Sequence, residues 1–231
     1  MRTALERGWR GNFVQAEKDE IARIEALRDR VEASPVVVRT TGPEWSGDPN
    51  DGRVVELSLG ELSSVASKRA LSARVLLSLI REFKPLTCIE LGTCVGISAA
   101  YQAAALELNG GGELISFEAS AERIAAAERH VAELGFDNVR FAHGRFQETL
   151  DPILRSLDAP VDYAFVDGHH DEQATLSYFR QIAPYASPSA VIVFDDIHWS
   201  TGMERAWQQL EADPQLPLTV DVRDMGVAFT A

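Results

Sequence analysis

Acidic residues fall at recurring places in this 231-residue chain: Glu90, Glu118 and Asp167 each end a short apolar run, and the pair Asp195-Asp196 ends a fourth. If those runs are parallel strands of one sheet, their ends share an edge and the acids converge on one crevice. Like charges held close raise one another's pKa unless a cation sits among them. Asp167, Asp195 and Asp196 are all-oxygen donors suited to a hard divalent ion such as Mg²⁺. For Asp195-Asp196 the alternative is a helix-capping acidic turn. Glu118 is placed to accept hydrogen bonds from ribose hydroxyls, as an acidic residue about 20 or more residues past a glycine turn does in nucleotide folds. His170 lies three residues past Asp167 in the run GHHDE. There a neutral imidazole could take the proton of a metal-bound hydroxyl, although a surface histidine with no role would read the same way. His169, His198 and Trp199 share that rim and would shape an acceptor pocket.

The stretch CIELGTCVGISAAYQAAA, residues 88–105, must position these groups. It reads as a buried strand end at Cys88–Leu91, a glycine turn from Gly92 to Gly96, and an alanine-rich helix from about Ile97. Glycines at 92 and 96 allow a sharp turn that a ligand can approach closely. The N–H groups opening the next helix face that ligand. The phosphate-binding lysine and third glycine of a nucleotide loop are missing, so the acidic surroundings suit a cation better than a phosphate.

Elsewhere the spacing predicts alternating elements. Apolar residues from Thr3 to Glu32 (Trp9, Phe13, Ile21, Ile24, Leu27, Val31) recur at helical spacing in one long or two shorter amphipathic helices, stopped by Pro35. These lie on the domain's own core or form a dimer arm. Two β-like runs, 36–38 and 53–59, flank the turn-rich TGPEWSGDPNDG, a lid or a plain surface loop. A helix is predicted over 62–83, strands over 113–118, 139–142, 161–167 and 189–195, and helices over 121–134, 146–157, 172–183 and 201–212. Two terminal strands, 218–222 and 227–230, are joined by a turn at Met225-Gly226. Strand–helix alternation implies an α/β fold with a doubly wound, mostly parallel sheet, to which the final hairpin adds an antiparallel strand.

Composition narrows the partners. At 231 residues with 45% hydrophobic content, the chain suits one well-packed domain with additions. A formal net charge of −13 opposes nucleic-acid binding. Cys88 and Cys94 read as reduced core thiols. With neither a membrane-length apolar run nor a signal-peptide pattern, the expectation is a cytoplasmic protein that binds no membrane.

ELGTCVGIS (90–98), preceded by IREFKP (80–85), resembles the glycine motif and preceding helix of catechol and caffeoyl-coenzyme-A O-methyltransferases, class I S-adenosylmethionine-dependent enzymes. VDGHHDE and FDDIHW resemble the metal-binding strand ends of that group and of its bacterial relatives acting on small natural products. The resemblance covers about 65–231. It implies a seven-stranded Rossmann-like methyltransferase domain over 61–231; residues 1–60 lie outside the resemblance and read as an N-terminal helical and loop extension, a lid or an oligomer contact, with a homodimer among the outcomes. It implies that S-adenosylmethionine lies along Glu90, Gly92, Thr93, Gly96 and Ser98, with Glu118 on its ribose, Arg145 and Phe146 beside its adenine, and Asp167 also near. It further implies Mg²⁺ or another divalent cation on Asp167, Asp195 and Asp196, with Asp167 and His170 catalytic, and a small-molecule acceptor such as a catechol-like or natural-product diol. His170 replaces the lysine, and Asp196 the asparagine, of the catechol enzymes, which points toward the bacterial branch. The rival expectations are a metal-independent methyltransferase, an NAD(P)-dependent oxidoreductase, for which the GxGxxG fingerprint is missing, and a non-catalytic cofactor-binding protein.

Overall fold

In a computed structural model, residues 1–40 and 54–231 are described. The loop read as a lid or a plain surface loop, residues 41–52, lies outside the described residues. The helices are α1 (Arg2–Arg10), α2 (Gln15–Glu32), α3 (Leu59–Ala66), α4 (Ala70–Phe83), α5 (Ile97–Asn109), α6 (Ala121–Glu133), α7 (Phe146–Arg155), α8 (Glu172–Ile182) and α9 (Thr201–Glu211). The strands are β1 (Val37–Thr40), β2 (Val55–Ser58), β3 (Thr87–Leu91), β4 (Glu113–Glu118), β5 (Val139–His143), β6 (Val161–Val166), β7 (Ala186–Asp195), β8 (Leu218–Val222) and β9 (Met225–Phe229).

Seven strands form one sheet in the order β5-β4-β3-β6-β7-β9-β8, and β1 and β2 pair separately as an antiparallel ribbon. Neighbours from β5 to β7 run parallel, while β9 is antiparallel to both β7 and β8. The expected doubly wound sheet is thus present. Its order reverses between β3 and β6, and such a switch point opens a crevice beyond the strand ends.

Side chains alternate between two cores with the period of a strand. Cys88, Leu114, Tyr163, Phe165, Val191 and Val193 face one layer. Ile89, Leu91, Ile115, Phe117, Ala164, Val166, Ile192 and Phe194 face the other. Helices α4 and α5 lie on the first face, α7, α8 and α9 on the second. In α5 the side chains of Ala99, Ala100, Ala103, Ala104 and Ala105 are fully buried, so small residues let this helix be enclosed on all sides. The N-terminal segment is two helices, and their Ala4, Ile24, Leu27 and Val31 join the first core. They lie on the domain's own core, the first of the two readings.

Several boundaries depart from the sequence pattern, three of them with a clear local cause. The helix predicted over 62–83 is broken at Ser67-Lys68-Arg69, where the apolar rhythm lapses between Ala66 and Leu71. Strand β7 begins at Ala186 rather than 189, because Ser187 is tied to Asp162 of β6 by a 2.8 Å hydrogen bond. The last turn falls at Arg223-Asp224, with Arg223 in the left-handed region at φ 65°. Met225 and Gly226 already belong to β9 because Met225 pairs with Asp195, and Trp207 packs where a Gly226 side chain would stand.

Candidate functional site

At the switch point the ends of β3 and β6 touch. The Asp167 N–H donates to the Leu91 carbonyl (2.9 Å), and a Cβ on Gly92 would lie 1.9 Å from the Asp167 carbonyl oxygen. Gly92, at φ 108°, therefore folds where no side chain fits. The N–H groups of Gly92 and Thr93 both donate to the Phe117 carbonyl (3.0 and 3.1 Å), which anchors the turn to β4. Gly96, at φ 86°, starts α5 with no side-chain cap. The opening N–H groups of α5 are thereby left to other partners.

Glu118 closes β4 beside this turn and is 6% exposed. Its carboxylate accepts from Cys94 N–H (3.1 Å) and Ser120 N–H (2.9 Å), with the Arg123 guanidinium 3.8 Å away. It is fixed in orientation before any ligand arrives. Ser120, Arg123 and the Cys94 amide were not foreseen from the sequence; Ser120 as helix N-cap was the available signal, since it accepts from Arg123 N–H.

The remaining predicted cofactor contacts sit differently. Glu90, Thr93 and Ser98 are 0, 1 and 5% exposed and form an internal polar network. Thr93 hydrogen-bonds Ser116, and Ser116, Ser98 and Gln102 all hydrogen-bond Glu90. Burial pushes the Glu90 carboxyl up to about 7, although these three partners oppose the shift. Folding thus takes up a proton between the ordinary value of 4.5 and about 7. Stability falls as pH rises through that window and levels off above it. Glu90→Gln abolishes the titration. Between about pH 4.5 and pH 8 the difference in unfolding free energy should move in the variant's favour by about 3 kcal/mol. Urea unfolding at both pH values checks this, and a difference that does not change with pH would contradict it.

Arg145 is exposed at the N-cap of α7, whereas Phe146 is 7% exposed and packs edge-on against His169 and Tyr178, with ring centroids 5.5 Å away in each case. His169 is held by this cluster, its Nδ1 2.6 Å from the Tyr178 hydroxyl. His170 stands apart from it. Its Nε2 lies 3.6 Å from an Asp167 oxygen and its Nδ1 3.6 Å from an Asp196 oxygen, ion-pair rather than hydrogen-bond distances. Trp199 lies 6.3 Å from the His170 ring and is 69% exposed. His198 faces outward and contacts Asp221 at 2.9 Å.

Cys94, His169, His170, Asp196 and Arg223 all carry positive φ (49, 64, 40, 52 and 65°). They account for five of the seven such non-glycine residues among those described. Backbone strain of this kind gathers where function over-determines geometry. A cleft of about 310 Å³ beside His170 is lined by Asp196, His198, Trp199, Arg223 and Asp224.

The three aspartates expected to share a cation do not form a metal-holding group among the described residues. Lys68, which sequence reasoning passed over, enters their midst. It is 8% exposed, its ammonium contacts Asp195, and it lies 3.3 Å from Asp224. Burial opposes that charge, but Asp195, Asp167 and Asp224 together hold the Lys68 pKa above its ordinary value. Asp195, 3% exposed, is raised by burial and by the charge of Asp167. Asp167 is pushed up to about 6, chiefly by burial and against the pull of Lys68. At Asp224 burial is outweighed by Lys68 and the Ser72 hydroxyl (3.0 Å), which hold its pKa down. The lapse in helical rhythm between Ala66 and Leu71 marks the break that holds Lys68 but not the burial of its ammonium.

Both cysteines are reduced thiols. No helix among the described residues is long and apolar enough to cross a membrane.

Comparisons with known proteins agree with this architecture. Residues 89–197 match a family model described as a methyltransferase domain. A catechol O-methyltransferase from Niastella koreensis is 28% identical over 110 residues, 47% of this chain and 48% of that protein. The chain thus matches about half the length of that relative. Among solved structures, an O-methyltransferase from Bacillus cereus in complex with SAH aligns with a TM-score of 0.63 at 21% identity, covering 72% of this chain and 83% of that one. The O-methyltransferase TomG from Streptomyces achromogenes, involved in tomaymycin synthesis and in complex with SAM, aligns with a TM-score of 0.62 at 23% identity, covering 72 and 82%. Over residues 89–197 the chain is therefore similar to a methyltransferase domain, and its Rossmann-like sheet is the one it shares in fold with these O-methyltransferase structures.

Proposed function

We propose that the chain transfers a methyl group from S-adenosylmethionine to a hydroxyl of a small molecule, a catechol-like or natural-product diol. One observation carries this reading. A pre-oriented carboxylate, Glu118, and an uncapped helix start flank a glycine turn, and a histidine held between two aspartates stands across the same strand-end crevice beside an open cleft. That donor set fits the cofactor: two ribose hydroxyls need acceptors, which Glu118 supplies, and a sulfonium favours an acidic edge.

When bound, the cofactor supplies an electrophilic methyl group. The chain's residues do the rest. Glu118 and the turn hold one reactant, the cleft walls Trp199 and Arg223 hold the other, and fixing both in one crevice supplies much of the rate enhancement. His170 accepts the proton of the acceptor hydroxyl, and Asp167 and Asp196 stabilise the imidazolium that forms. No step here runs through a divalent ion, since Lys68 already lies against Asp195.

The test is transfer from methyl-deuterated S-adenosylmethionine to a panel of hydroxylated aromatics, followed by mass spectrometry. The label should arrive on oxygen with one S-adenosylhomocysteine per transfer. His170→Ala should lower kcat about 100-fold or more while affinity for S-adenosylhomocysteine stays near that of the native chain. Unchanged turnover in His170→Ala would remove His170 as the base.

A further inference from the structure

The acidic edge of this site is occupied from within. Lys68 lies in the break between α3 and α4, and three features hold it there. The Arg28 guanidinium donates to the Lys68 carbonyl (2.9 Å), Ser63 and Ser67 hydrogen-bond across the end of α3 (3.0 Å), and Arg28 is itself braced by Glu25 at 3.0 Å. Its side chain is 6% exposed, so the stem is packed and the ammonium cannot swing into solvent without opening the core. That ammonium touches Asp195 and lies 3.3 Å from Asp224, whose carboxylate also accepts from the Ser72 hydroxyl. Asp224 and Asp196 form part of the cleft wall, which puts a fixed positive charge directly behind the acceptor pocket.

A divalent ion on Asp167, Asp195 and Asp196 would have to approach the oxygens that Lys68 contacts, against a like charge in a water-poor site. We propose that Lys68 is the resident cation of this site: its ammonium takes the place of a divalent metal among the strand-end carboxylates, and removing it converts those carboxylates into a metal-binding site. Lys68 is then a positioning residue, keeping the acidic edge compact and Asp224 and Asp195 in place. The role assigned to it rests on the methyltransferase reading; the occupancy of the site by its ammonium does not.

The test uses Mn²⁺ alone as probe, titrated into the full chain and read by electron paramagnetic resonance and calorimetry. The native chain should show no stoichiometric Mn²⁺ binding in the micromolar range. Lys68→Met should bind one Mn²⁺ per chain at least tenfold more tightly, and Lys68→Arg, which keeps the charge, should behave like the native chain. With an acceptor identified, native turnover should survive EDTA, and Lys68→Met should lose turnover until Mn²⁺ is added. One Mn²⁺ bound tightly by the native chain and lost in Asp195→Asn would overturn the proposal, as would native activity abolished by EDTA and restored by the metal. If Lys68→Met does not fold, the native titration decides alone. S-adenosylhomocysteine binding measured on the same samples separates the two readings, since its absence would sink the methyltransferase assignment without touching the Mn²⁺ result.

Discussion

Gly92→Ala should destabilise the folded chain by at least about 4 kcal/mol, placing it among the exceptional single substitutions. Two independent costs add. At φ 108° an alanine is strained whatever the space around it. The new Cβ would also sit 1.9 Å from the Asp167 carbonyl oxygen, an overlap with backbone rather than with a flexible side chain. Relief requires the ends of β3 and β6 to part, which breaks the Asp167-to-Leu91 hydrogen bond and loosens the crevice itself. For a chain of this size the melting temperature should fall by roughly 10 °C or more, as read by differential scanning calorimetry. A drop of less than about 3 °C would show that the two strand ends are not in the contact described.

Glu118→Ala should weaken S-adenosylhomocysteine binding by about 100-fold, since two charge-assisted hydrogen bonds to ribose are lost at roughly 1.5 kcal/mol each. The carboxylate also organises its own surroundings, because the Cys94 and Ser120 N–H groups both depend on it. Glu118→Gln separates the two effects. It keeps an oxygen acceptor for one amide but offers ribose a weaker partner, so it should recover most of the stability and little of the affinity. Calorimetric titration and thermal unfolding on the same samples measure both. Affinity in Glu118→Ala within threefold of the native chain would place the ribose elsewhere.

The fold was legible because its signals are local and repeated. Alternation in β3 to β7, with odd and even residues sent to opposite cores, and glycine at each sharp turn leave few other topologies. The convergence of Glu118, Asp167, Asp195 and His170 on one edge followed from that topology. Lys68 was less legible. It lies more than 100 residues from Asp195 in sequence, and only the packing of α3, α4 and α2 brings it there. Periodicity reads a helix on either side of residues 67–69 and has no means of seeing a buried cation in the gap between them. The setting of Glu90 was also hard to read. Its position near a strand end suggested an open edge, but strand alternation puts it on the face of Cys88, under α5, where Ser116 and Gln102 hold it. The final turn slipped by two residues because Gly226 signalled a bend, whereas it is glycine to make room for the Trp207 ring, 2.3 Å from where its Cβ would be.

The central claim, that the glycine turn and Glu118 form a site for S-adenosylmethionine, is tested most directly by titrating the native chain with S-adenosylhomocysteine and, separately, with NADH in the same calorimeter. One molecule of S-adenosylhomocysteine should bind per chain with micromolar affinity, and NADH should give no saturable heat. Saturable binding of NADH with none of S-adenosylhomocysteine would contradict the assignment.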